Sequence, residues 1–280
     1  MKTGPAASHG ASRHGIAPAL RHVRAVVLDT DGVITDSAGI HAAAWRRAFD
    51  ACLRERASGS AARPFDPDED YRDYVDGRSR FDGALAFLES RGLGRPRGEP
   101  GDPPGPGSVW AVAAAKDAMF DDWLREHRVE AWPGTVRLLH ALRLEQVWCA
   151  AVSASRHARD LLSMSGVAEL FHVIVDGNDA ARLRLPGKPD PALFLEAARR
   201  LGTPPRATAV AEDAVAGTEA ARRGGFAVVI GVERSARPAA AARLREHGAD
   251  VVVTDLAELL TGTGPATGPR TAGRRAAEHG

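Results

Sequence analysis

Short apolar runs alternate with stretches of helical spacing along the second half of the chain. Runs at 147–152, 172–175, 208–211, 226–230 and 250–253 are rich in Val, Ile and Ala and read as buried strands. Around them, 134–145, 155–165, 190–201, 214–224 and 238–247 space apolar residues as helices packed on one face do. Strands alternating with amphipathic helices predict a parallel sheet covered on both faces. One further apolar run, Ala25-Val26-Val27-Leu28, lies far upstream. The segment between, 37–131, has helical patterns and no convincing strand. Ser37 can cap a helix reaching about residue 56, with Ile40, Ala44, Ala48 and Cys52 on one face. A second helix starts at the capping-box-like Ser79 and Asp82 and ends at Gly92 or Gly94. A Pro- and Gly-rich loop over 94–108 precedes a third at 109–127.

This pattern divides the chain into an α/β core, 22–36 and 132–261, and a helical cap, 37–131, inserted after the first strand. Residues 1–21 and 262–280 lack a period and read as disordered tails. No internal repeat is found.

Composition narrows the function classes. With 280 residues and a net charge of +1, nothing favours nucleic-acid or membrane partners. There is no signal peptide and no apolar stretch of spanning length, so a soluble, cytoplasmic monomer is expected. Cys52 and Cys149 form neither a disulfide framework nor a metal-ligand spacing. Basic residues are almost all Arg; the lysines are Lys2, Lys116 and Lys188, so each internal one invites a reason.

The chemistry sits at strand ends. The first strand stops in Asp29-Thr30-Asp31-Gly32, two carboxylates where open α/β sheets bind ligands. Taken alone, such a segment can equally be a turn. Ser153 ends a second strand, Glu212-Asp213 ends a third, and Lys188 lies in the rigid loop Gly187-Lys188-Pro189-Asp190-Pro191. A hydroxyl with amides at a helix start suits a phosphate, although each of these features alone is commoner as a cap or a solvated loop.

Their order and spacing together resemble the haloacid dehalogenase superfamily. DTDGVITDS, His41 with Trp45, VSASR, GKPDPALF, EDAVAGTEA and the cap's DYRDYVDGRSRFDGALAFLESRGL resemble its β-phosphoglucomutase branch over about residues 24–260. The resemblance implies a Rossmann-like core and a Mg²⁺-dependent phosphomutase acting on a small sugar phosphate. It would convert β-glucose 1-phosphate to glucose 6-phosphate through an aspartyl-phosphate and glucose 1,6-bisphosphate. Asp29 would be the nucleophile and Asp31 the acid and base. Asp29, the Asp31 carbonyl, Glu212 and Asp213 would hold Mg²⁺; Ser153, Ala154 and Lys188 the transferring phosphate. Arg80, Ser155, Arg156, His41 and Lys116 would serve the distal phosphate and the sugar. Two departures stand out: Ala113-Ala114-Ala115-Lys116-Asp117 keeps only the Lys of the branch's cap cluster, and His157 replaces an Asn. The alternatives are a sugar-phosphate phosphatase with the same Asp29 intermediate and, less in keeping with an inserted cap, a phospho-accepting signalling domain.

Overall fold

The computed structural model describes residues 15–56 and 59–261. β1 (Ala25–Asp29) is buried at every position, as an inner strand covered on both faces must be. Three helices follow: α1 (Ala38–Arg56), α2 (Arg80–Ser90) and α3 (Val109–Glu126). The chain then runs α4 (Pro133–Leu144), β2 (Trp148–Val152), α5 (Ala158–Met164), β3 (Val173–Val175), α6 (Gly177–Leu183) and α7 (Ala192–Leu201). It ends with β4 (Thr208–Glu212), α8 (Val215–Arg223), β5 (Val228–Val232), α9 (Pro238–Glu246) and β6 (Val251–Val253).

The six strands are parallel, in the order β3-β2-β1-β4-β5-β6. β1 therefore pairs with β2 on one side and β4 on the other, and the winding reverses beside it. Their carboxyl ends flank the crevice where such sheets bind ligands. Side chains alternate between two cores with the two-residue period of a strand. Val26, Leu28, Cys149 and Ala209 face Leu138, Leu139 and Leu142 of α4. Ala25, Val27, Ala150 and Val210 face Leu193, Phe194 and Ala197 of α7. Full burial of a side chain such as Phe194 contributes about 1.5–3 kcal/mol.

α1, α2 and α3 have an aromatic core of their own, with Trp45, Phe49, Phe65 and Phe87 in stacked, tilted and edge-on contacts. The predicted α1 face is present: Ala44, Ala48 and Cys52 are buried, and Trp45, Phe49 and Leu53 widen it. Ser79 Oγ accepts the Asp82 amide and donates to its carboxylate, so α2 starts where the capping pattern puts it. Gly92, with φ +66°, follows its end. The chain leaves and re-enters the sheet side by side, since Asp36 N–H bonds the Glu130 carbonyl and Trp132 N–H that of Ile34. The segment 37–131, expected to be a cap, thus leaves and rejoins the core at one place.

Several expectations change. The N-terminal tail does not extend to residue 21: Ile16 and Leu20 are fully buried, and Ile16 bridges Leu260. Two large apolar groups gain more by joining the core than their ordering costs. The rest of that tail and all of 262–280 lie outside the described residues. α6 was not expected; Asp176 caps it by accepting the Asn178 and Asp179 amides, a signal hidden in a short polar stretch. α5 starts at Ala158, because residues 153–157 form a turn. β5 begins at Val228, two residues later than its pattern suggests. Among the described residues no helix is long and apolar enough to cross a membrane.

Candidate active site

Asp29 is the last residue of β1, and the loop after it is tightly fixed. Thr30 Oγ1 donates to the Val152 carbonyl at 3.0 Å and Thr35 Oγ1 to that of Thr30 at 3.1 Å. Arg234 donates to the carbonyls of Gly32 and Val33 at 2.7 and 2.9 Å. Gly32 has φ +79°, and a Cβ there would lie 1.8 Å from Asp213 Oδ2. Any other residue would be strained and would displace that carboxylate.

Lys188, buried between strand ends, donates to Asp29 Oδ1 at 2.5 Å and also to Glu212 Oε1. Glu212 Oε2 accepts the amides of Asp213 and Ala214 at 2.6 and 2.9 Å. Ligand oxygens of Asp29, Glu212 and Asp213 all lie within 4.8 Å of one another. Burial pushes the Asp29 carboxyl well above its ordinary value; Lys188 opposes this, while Glu212 and Asp31 add to it. Asp213 is raised as well, by burial and by Asp76 and Glu212. Burial works against the Lys188 charge, but Asp29 and Glu212 outweigh it and hold the ammonium firmly protonated. One lysine offsets one of three clustered carboxylates, and all three offer hard oxygens. That donor set fits a divalent cation of the magnesium type.

Asp31 points the other way. Its Oδ1 accepts from Ser37 Oγ at 2.5 Å and lies 3.1 Å from His41 Nε2, and its Oδ2 accepts from Ser153 Oγ at 3.1 Å. Burial would raise this carboxyl, but His41, Ser37 and Lys116 outweigh it and hold it well below the usual carboxylate range. His41 is itself lowered, by burial and then by Lys116, while Asp31 opposes the shift. The Asp31 side chain therefore lies apart from the metal-type cluster; only its main-chain carbonyl remains as the expected ligand. His41 belongs to α1 and Asp31 to the core loop, so their contact spans the cap boundary.

Across the site, Arg80 at the start of α2 and Arg156 from the 153–157 turn both bond Asp117 Oδ2, Arg156 at 2.5 Å. Lys116 is buried 4.6 Å from the Phe120 ring centre and 3.8 Å from Asp117. Asp29, Asp31, Lys188, Arg80 and Arg156 line one cavity of about 60 Å³. That volume holds a few waters, and a wider cleft beside it shares Arg80, Ala154, Arg156 and Lys188 with it.

The profile of the haloacid dehalogenase-like hydrolases matches residues 23–225. The chain is 46% identical over 240 residues to a β-phosphoglucomutase of Mycobacterium bovis, covering 85% of this chain and 92% of that protein. It belongs to the haloacid dehalogenase-like hydrolases, in their β-phosphoglucomutase-like branch. A β-phosphoglucomutase of Bacillus subtilis is 31% identical over 218 residues, 75% of this chain and 84% of that one. The crystal structure of a β-phosphoglucomutase from Clostridium difficile shares the fold, with a TM-score of 0.67, 24% identity and coverage of 85% and 93%.

As a haloacid dehalogenase-like protein the chain was legible at its strand ends and less so in its cap. Asp29, Asp31, His41, Lys116, Arg80, Ala154, Ser155, Arg156, Lys188 and Asp213 share the cavity wall, with Ser153 and Glu212 bonded just behind it. Sequence reasoning missed Asp117, Tyr71 and Asp76, which also line it. Asp76 had one usable signal, the Gly after it. Gly77 has φ +71°, and a Cβ there would stand 2.9 Å from that of Ala214, so the cap loop lies directly on the core.

Proposed function

We propose that this protein is a β-phosphoglucomutase, converting β-glucose 1-phosphate to glucose 6-phosphate through an aspartyl-phosphate. The observation that supports the reading is a single cavity lined by two cationic groupings, Lys188 beside Asp29 and the pair Arg80 and Arg156, each read here as a phosphate site. A doubly phosphorylated sugar needs both.

In the phosphorylated enzyme Asp31 is the base. Its carboxylate takes the proton of the sugar 6-hydroxyl while that oxygen attacks phosphorus and the bond to Asp29 breaks. The bisphosphate then presents its other end. The Asp29 carboxylate attacks the phosphorus at C1, and Asp31 returns its proton to the departing anomeric oxygen. The chain therefore ends each cycle phosphorylated and proton-balanced. Lys188 and Ser153 hold phosphoryl oxygens in this scheme, and the Ala154 and Ser155 segment lies against them. His41 ties Asp31 to the closed cap, so proton transfer and exclusion of water occur together. Lys116 faces the sugar. Magnesium would be held by Asp29, Asp213 and the Asp31 carbonyl, with Glu212 behind; when bound it cancels repulsion between the carboxylate and the phosphate. Asp213→Ala should raise the magnesium requirement by at least about tenfold. Metal titration of activity checks this, and indifference to a chelator would reduce the acidic cluster to a helix start.

The decisive assay supplies β-glucose 1-phosphate with a trace of the 1,6-bisphosphate and reads glucose 6-phosphate and free phosphate separately. Glucose 6-phosphate without matching release of phosphate is expected; stoichiometric phosphate would make the protein a phosphatase. Arg80→Ala should lower mutase kcat/KM about ten- to hundredfold, the range for a charged hydrogen bond of about 1.5–3 kcal/mol. Phosphoenzyme formation from acetyl phosphate, which has no second phosphate, should proceed almost as before, and Arg80→Lys should recover only part of the loss. A parallel fall in both activities would leave Arg80 a structural cap residue.

A further inference from the structure

Among the described residues, Asp117 is the acidic side chain that bonds both arginines of the distal end. It lies on α3, is 6% exposed, and its Oδ2 accepts from Arg80 of the cap and from Arg156 of the core at once. Its Oδ1 is 3.8 Å from Lys116 Nζ and 3.7 Å from His157 Nε2. A second observation concerns His157. Its Nε2 is buried and makes no hydrogen bond, since 3.7 Å is too long for one. His157 Nδ1 is also 3.3 Å from Asp121 of α3, so cap and core meet here through two acidic residues.

We propose that Asp117 is an internal stand-in for the distal phosphate, holding the cap closed over the nucleophile when no doubly phosphorylated sugar is bound. This rests on the reading of Arg80 and Arg156 as the distal clamp. A carboxylate offers one charge and two acceptor oxygens, whereas a phosphate dianion offers two charges and three. The phosphate therefore displaces Asp117 from the guanidinium groups, and the displaced carboxylate moves toward Lys116 and the unpartnered His157 Nε2. Between turnovers the Asp117 contacts return and keep water from the aspartyl-phosphate. The cost is competition: Asp117 lowers the affinity of every phosphate that must replace it, so singly phosphorylated ligands gain least from the clamp.

The test is a double-mutant cycle of Asp117→Asn and Arg80→Ala. Binding of inorganic phosphate is measured by calorimetry, and the lifetime of phosphoenzyme made from acetyl phosphate by quenching. Asp117→Asn should tighten phosphate binding at least threefold, a gain that vanishes in the Arg80→Ala background. It should also shorten the phosphoenzyme lifetime at least threefold and speed amide exchange over 153–157. Asp117→Ala repeats the test without an amide that can itself bond Arg156. Phosphate binding that weakens or stays unchanged in both variants shows that Asp117 only orients the arginines, and overturns the proposal. An unchanged lifetime overturns it as well. Phosphate binding and amide exchange need no turnover. Failure to isomerise β-glucose 1-phosphate would thus count against the mutase reading while leaving this one testable.

Discussion

Asp29→Asn abolishes turnover, with glucose 6-phosphate formation and acetyl phosphate hydrolysis both falling by at least about four orders of magnitude, the scale of losing a covalent nucleophile. The amide keeps the shape of the side chain and can still accept from Lys188, which donates to Asp29 Oδ1 at 2.5 Å. It cannot attack phosphorus. A circular dichroism spectrum and melting curve matching the wild type would show that the loss is chemical and not a failure to fold. Mass spectrometry of acetyl phosphate-treated protein gives a second readout: the wild type gains one phosphoryl group and Asp29→Asn none. Near-normal turnover by the variant would end the covalent mechanism.

The next largest effect belongs to Asp31→Asn, and its signature is selectivity. Acetyl phosphate has a good leaving group that departs without a proton, so phosphoenzyme should form within about tenfold of the wild-type rate. Transfer to and from a sugar hydroxyl needs a base and an acid, and should fall about 10²- to 10⁴-fold. The geometry underlies this split. Asp31 lies away from the metal-type cluster, bonded by Ser37 and His41 at the start of α1 and by Ser153 after β2. In the proposed mechanism its contribution is proton transfer rather than charge at the phosphorus. Single-turnover rates with the two phosphoryl donors separate the cases, and equal losses with both would move Asp31 into the nucleophile's supporting structure.

The residues themselves carried much of this site. Val26 and Leu28 alternate with Ala25 and Val27 in a run buried on both faces, so the strand was visible in its composition, and the two acids at its end took a chemical reading once the other strand ends were set beside them. In a chain whose cations are almost all Arg, Lys188 stood out, and it is the ammonium that bonds both Asp29 and Glu212. A compact point charge fits between two carboxylates where a planar guanidinium would not.

Tertiary structure decided what the chain could not express locally. Ser153 and Asp31 are 122 residues apart, and they meet because β2 and β1 are neighbours in the sheet order. Arg234 braces the nucleophile loop across more than two hundred residues, yet in an Arg-rich sequence it looked like any other. Asp117 read as an ordinary helical acid; only the closure of cap on core sets Arg80 and Arg156 on either side of it. Ile16 and Leu20 read as tail because their partners, such as Leu259 and Leu260, come from the far end of the chain. Strand periodicity and strand-end acids are properties of consecutive residues, so sequence alone determined them. Charge pairing and burial between distant segments arise only when the fold brings them within a few ångströms, where Coulombic and packing terms become large.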